Sequence, residues 1–171
     1  MNMTFQDSPS KIVPEQVVEA AWLEIGGLSE DQARLHMQRL SRSQPALLAF
    51  VTAFSEDLSN DGAELGIYMF VAIVHMFEMH FGKRLQNVGT KRIDSIYQEN
   101  VDMLDRLAGA DERWLERAAI TQSEKQPWVW KCVVECLFEP DDEELNLSEE
   151  DQGSLAITMK TVIDALNSSV R

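Results

Sequence analysis

The chain has 171 residues, with 29 acidic and 15 basic side chains and a formal net charge of -14 at pH 7. That length supports one domain with a sizeable core, and an apolar content of 44% is ordinary for a globular protein, which excludes wholesale disorder. The charge argues against a general nucleic-acid binder and against docking on anionic membrane, because both need a basic surface.

Residues 1–13 read as a flexible leader, without the basic and apolar regions of a signal peptide. Pro14 suits a first helical position, and Val17, Val18, Ala21, Trp22 and Ile25 form a stripe ending at Gly26-Gly27. Ser29 with Gln32 has the spacing of a capping box and starts a second helix, with Leu35 and Leu40 on its apolar side. A third starts near Pro45 and carries Leu47, Leu48, Phe50, Val51, Phe54 and Leu58 at helical spacing.

Ser59-Asn60-Asp61-Gly62 breaks the chain before the most informative segment. Leu65 to Phe77 contains no charged residue and leaves no polar face. A helix apolar on almost every side has to be enclosed by other elements. The run is too short for a bilayer, which takes roughly 20 apolar residues, so it reads as the central helix of a soluble domain, ending near Gly82. Thr90 caps a fifth helix with Ile93, Ile96, Tyr97, Val101, Leu104 and Leu107. A short sixth runs from Asp111 with Trp114, Leu115 and Ala118. The seventh, from Pro127 to the stop at Pro140, is nearly as apolar as the central one. Ser148 with Asp151 opens the last, striped by Leu155, Met159, Val162, Ile163 and Leu166.

Strand signals are nearly absent, and no fixed-period repeat is visible. The expected fold is all-α: one compact bundle or irregular stack of seven to eight helices, spanning residues 14–171, around a buried central helix. The expected packing is around Leu65–Phe77 and Trp128–Phe138, with an acidic loop at 139–151.

Several constellations are candidates for chemistry. His75 and Glu78 lie three apart, on one side of the central helix, and are the candidate metal ligands. The paired Glu-x-x-His motifs of a bundle metal centre are missing, so a third ligand has to come from His36 or a distant carboxylate. Asp57 to Gly62 resembles the first half of a calcium loop, but Tyr68 stands where the bidentate Glu belongs; a helix end, a glycine turn and an Asp or Asn cap is the simpler reading. Between Glu139 and Asp151 lie eight carboxylates and no basic residue, which is more than half the net charge. From Met79 to Ile93 the sign reverses: Lys83, Arg84, Lys91 and Arg92 occur with no acidic residue, a candidate contact for an anion or a partner.

Cys132 and Cys136, four apart on a helix, suit a disulfide poorly and read as reduced core thiols in a cytoplasmic protein. Trp128 and Trp130, two apart, cannot share a helix face. No activated nucleophile and no cofactor signature is present, and no cofactor is expected. The leading functional expectation is a non-enzymatic protein acting by protein-protein contact and self-associating as a homo-oligomer, without direct nucleic-acid or membrane binding. The alternatives are a metal-dependent or small-ligand enzyme centred on His75 and Glu78, and an acidic nucleic-acid mimic.

Overall fold

The computed structural model describes residues 10–108, 125–140 and 145–171. Over these residues the fold is all-α, with seven α-helices in the order α1 (Glu15–Gly26), α2 (Glu30–Ser43), α3 (Pro45–Ser55), α4 (Asn60–Phe81), α5 (Thr90–Ala108), α6 (Pro127–Phe138) and α7 (Glu149–Ser168). The helix expected from Asp111, with Trp114, Leu115 and Ala118, lies outside the described residues, as do residues 1–9 of the leader.

Helix starts follow the local chemistry of the sequence. Ser29 Oγ accepts from the Gln32 N–H at 3.3 Å while Gln32 Oε1 accepts from the Ser29 N–H at 3.0 Å, a complete capping box. Ser59 accepts from the Gly62 N–H and Ser148 from the Asp151 N–H, at 3.1 and 3.0 Å. The stretch from Asp57 to Gly62 is therefore a turn and the capped start of α4, with Ser59 as the cap rather than an Asp or Asn. Pro14 is the cap residue of α1 rather than its first helical residue. Gly82 ends α4 at φ 54, a left-handed conformation that favours glycine.

The core differs from expectation in one respect. Alongside α4, the second buried helix is the last one, α7, and not Trp128–Phe138. Helix α7 buries as many residues as α4, whereas α6 buries only Val129, Trp130, Val133 and Leu137. The reason is polar. Thr158, Lys160 and Thr161 lie in the core face of α7 and make their polar face look solvent-directed in sequence. In the fold Asn100 Nδ2 donates to Thr161 Oγ1 at 3.1 Å, and Lys160 Nζ donates to Asn100 Oδ1 and to Asp164 Oδ2, the latter at 2.6 Å. Satisfied in this way, polar groups can be buried. Leu35, expected on the buried side of α2, is 63% exposed, because α2 packs mainly on α3 and buries only Leu40.

Helices α4 and α7 run side by side and parallel. Their starts meet where Ser59 Oγ donates to the buried carboxylate of Asp151. Their ends meet where Leu85 and Val170 form an isolated antiparallel bridge, flanked by Gln86 N–H to Ser169 O and Arg171 N–H to Arg84 O. Between these points Gly66 lets the two helices approach closely: a Cβ there would lie 2.9 Å from Leu155 Cδ2. At 22 residues, α4 is about 33 Å long. It is long and apolar enough to cross a membrane by composition, yet more than half of its most apolar stretch is buried against neighbouring helices.

The two halves of the chain repeat one arrangement around this pair. Helix α1 packs on α4 as α5 packs on α7, and α3 precedes α4 as α6 precedes α7. The halves also reach across to each other reciprocally: α1 touches α6, and α5 touches α3. Two buried glutamines make the exchange explicit. Each stands before the proline that starts its helix, Gln44 before Pro45 and Gln126 before Pro127. Gln44 donates to Gln86 O at 3.0 Å and accepts from the Val88 N–H at 3.1 Å. Gln126 donates to Lys11 O at 2.8 Å and accepts from the Val13 N–H at 2.9 Å. In both cases a side-chain amide pairs with a carbonyl and with the N–H two residues on, at the segment leading into the other half's first helix. Val13, placed in the leader by the sequence, is fully buried by this clasp.

Candidate functional site at the basic end

The parallel pairing of α4 and α7 gives the molecule two unlike ends. At their starts lie the exposed acidic residues Asp61, Glu149 and Glu150. At their ends lie Lys83 and Arg84 in a 3-10 turn (Gly82–Arg84), and the chain after α7. Two cavities open there. One, of about 400 Å³, is lined by Lys11, Arg84, Lys125 and Arg171 with Asn167, Phe81, Ile12 and Val170. A second, of about 320 Å³, brings Arg92 beside Arg171. No carboxylate side chain among the described residues lines either cavity.

Three of these cations, Arg84, Lys11 and Arg92, are placed by different local devices. Arg84 lies over the Phe81 ring, 5.2 Å from its centroid. Lys11 is held through its backbone by Gln126, which also donates to Asn167 Oδ1 at 2.9 Å and so ties the leader to the end of α7. Next to Lys11, Ser10 O contacts His80 Nε2 at 2.8 Å. Arg92 Nε reaches Ser168 Oγ at 3.4 Å across the α5–α7 seam. None of these cations pairs with a carboxylate among the described residues. Such a cluster, with no opposing side-chain carboxylate among the described residues, is chemically suited to hold an anionic group.

Of the four basic residues singled out from sequence, Arg84 and Arg92 line these cavities and are joined through Arg171; Lys83 and Lys91 are exposed and line neither. Lys11, Lys125 and Arg171 were missed. Each is isolated in sequence, and only the Gln126 clasp and the bridge at Val170 bring them together.

His75 and Glu78 belong to a separate cluster between α1, α2 and α4. His75 Nε2 pairs with Glu24 Oε2 at 2.7 Å, and its Nδ1 has no partner among the described residues. Glu78 faces Arg39 at 3.0 Å, off the direction of a good hydrogen bond. The His36 ring stands edge-on to His75 with centroids 5.3 Å apart, and burial, then Arg39 and His75, push its pKa down against the opposing pull of Glu78. The two expected ligands are thus engaged by different partners. Among the described residues no three His, Cys, Asp or Glu side chains gather closely enough to hold a metal ion. Beside His36 an open groove of about 490 Å³, lined chiefly by Ile25, Leu28, Met37, Ile67 and Val71, separates α2 from α4.

The cysteines are half-buried rather than fully enclosed, on the wall of a third cavity. Trp130 is buried and Trp128 is 36% exposed, as their spacing requires. Comparison with protein-family models, curated proteins and solved structures gave no match.

Proposed function

We propose that this chain is a non-enzymatic helical protein that works by protein-protein contact, and that its basic end receives an acidic surface. The observation that carries the proposal is the cavity lined by Lys11, Arg84, Lys125 and Arg171 with no Asp or Glu side chain among its described lining residues, in a chain whose net charge is -14. A surface that departs so far from the sign of the whole molecule selects an acidic partner and steers its approach. The first acceptor to test is a second copy, offering the carboxylates between Glu139 and Asp151. In each copy the acidic and basic ends are separated by the length of α7, about 30 Å for 20 residues. Pairing one with the other is therefore head to tail, or side by side with the helices reversed.

Surplus apolar surface is not the driving force in this reading. Helix α4 is already covered by α1, α3 and α7 of the same chain. Sedimentation at about 0.1 M and about 1 M salt tests the idea, since screening at the higher concentration reduces charge attraction beyond about 3 Å. The expected result is association at low salt that disappears at high salt. A monomer under both conditions removes self-association, and a dimer indifferent to salt removes charge pairing.

A further inference from the structure

The repeated arrangement of the two halves exposes one place where they differ. Between α3 and α5 the seam is filled by rings: Phe50, Phe54 and Tyr97 lie with centroids 4.8, 5.7 and 5.0 Å apart. The reciprocal seam, between α6 and α1, has Cys132, Cys136 and Trp22 in the corresponding places, counted from Pro45 and Pro127 and from the starts of α5 and α1. Two thiols stand where the other half has two phenyl rings. A cavity of about 440 Å³ opens at that spot, walled by Trp22, Trp128 and both cysteines.

We propose that Cys132 and Cys136 form a two-thiolate site for a soft monovalent metal ion of the Cu(I) class, seated in this cavity. Residues four apart on a helix face the same side, and here both thiols line one cavity. Glu15, Glu19, Glu135 and Glu139 line the same cavity, and Lys131, the cation there among the described residues, is engaged by Glu15 and Glu135 at 3.7 and 3.8 Å. The field inside therefore favours a cation.

Thiolates select soft ions such as Cu(I) and zinc. A structural zinc takes four ligands, and no set of three metal-binding side chains gathers among the described residues. An ion satisfied by two sulfurs matches the two thiols that this cavity offers. On binding, each thiol releases its proton to solvent and each sulfur donates one lone pair to the ion, with no electron transfer. A disulfide is the poorer use of these residues, because the helix holds their Cβ atoms too far apart for its geometry.

The test is an anaerobic titration of the reduced full-length protein against Cu(I) held by bicinchoninate, a coloured chelator. The expected result is transfer of one ion per chain, with quenching of tryptophan emission from the cavity wall. Cys132→Ser and Cys136→Ser should each lose the transfer. So should Cys132→Phe, which refills the cavity in the manner of Phe50; it keeps the comparison available if a serine variant fails to fold by far-ultraviolet dichroism. Wild-type protein with both thiols reduced that takes no copper from the chelator overturns the proposal. Equal uptake by a folded variant lacking either thiol overturns it as well.

Discussion

Two buried amides fasten the segments that lead into α1 and α5. Gln126 makes hydrogen bonds to Lys11, Val13 and Asn167, and Gln44 makes two, to Gln86 and Val88. Truncating either leaves buried backbone groups unpaired, at a cost of about 1–3 kcal/mol for each group. Gln126→Ala is expected to lower stability by roughly 2–3 kcal/mol in urea unfolding, and Gln44→Ala by somewhat less. Gly62 and Gly66 make a second comparison. A Cβ on Gly62 would lie 2.9 Å from the carboxylate of Asp151 and 3.2 Å from Ser59 Oγ, which hold each other across the two helix starts. A Cβ on Gly66 meets only the end of the Leu155 side chain, which can turn away. Gly62→Ala is therefore expected to destabilise by about 1–2 kcal/mol through overpacking, while Gly66→Ala is near neutral because alanine's helix preference offsets a small shift. Thermal melts of the two variants side by side check this; equal effects would mean the Asp151 carboxylate yields as easily as a leucine methyl.

Between elements, polar seams carry information that apolar stripes do not. The α5–α7 seam rests on Lys160, whose side chain is 6% exposed and is bonded to Asn100 and Asp164. Removing one partner of a buried pair leaves the other uncompensated, so Lys160→Met is expected to cost about 3 kcal/mol. Lys160→Met combined with Asp164→Leu should recover much of that loss, because no charge is then stranded. The seam between α2 and α4 responds to pH. His36 has its folded pKa below the ordinary value of 6.5, chiefly through burial. Between 6.5 and that lower value the unfolded chain holds a proton that the folded chain lacks. Stability contributed by neutral His36 is thus present above pH 6.5 and is lost as pH falls through this window. Urea midpoints measured from pH 7.5 downwards should fall less steeply in His36→Gln than in the wild-type chain, and His36 should titrate below the usual histidine range by NMR.

At the scale of the whole molecule, two halves of unlike sequence share one plan and exchange their leading segments. The parallel α4–α7 pair sits between them, with its acidic starts at one end and the basic cavities at the other. Reversing the charge at the basic end tests the proposed function directly. Arg84→Glu with Arg171→Glu is expected to abolish salt-dependent association in sedimentation, with the far-ultraviolet dichroism unchanged. Because neither side chain is buried, this double substitution leaves the core as it is. Undiminished association of the variant at about 0.1 M salt would show that the contact lies elsewhere.

Local chemistry was enough to write the helices into the sequence. Serine caps at 29, 59 and 148, prolines at 45 and 127 and the uncharged run from Leu65 to Phe77 each act within a few residues. Arg84 and Arg92 were also visible, because they stand in a stretch without acidic neighbours. Three things were decided only in three dimensions. The buried rank of α7 depends on Asn100, more than fifty residues away, satisfying Thr161 and Lys160; until such a partner is known, a threonine or lysine reads as surface. The repetition of the halves is hidden because the interval between equivalent residues drifts, from Val13 and Val88 through Gln44 and Gln126 to Ser59 and Ser148. Equivalent places also share a shape rather than a residue type, as Phe50 and Cys132 do. The basic cavity is assembled from Lys11, Arg84, Lys125 and Arg171, four residues distant along the chain. Periodicity and capping are short-range and survive in one dimension, whereas burial of polar groups and the gathering of like charges are properties of packing.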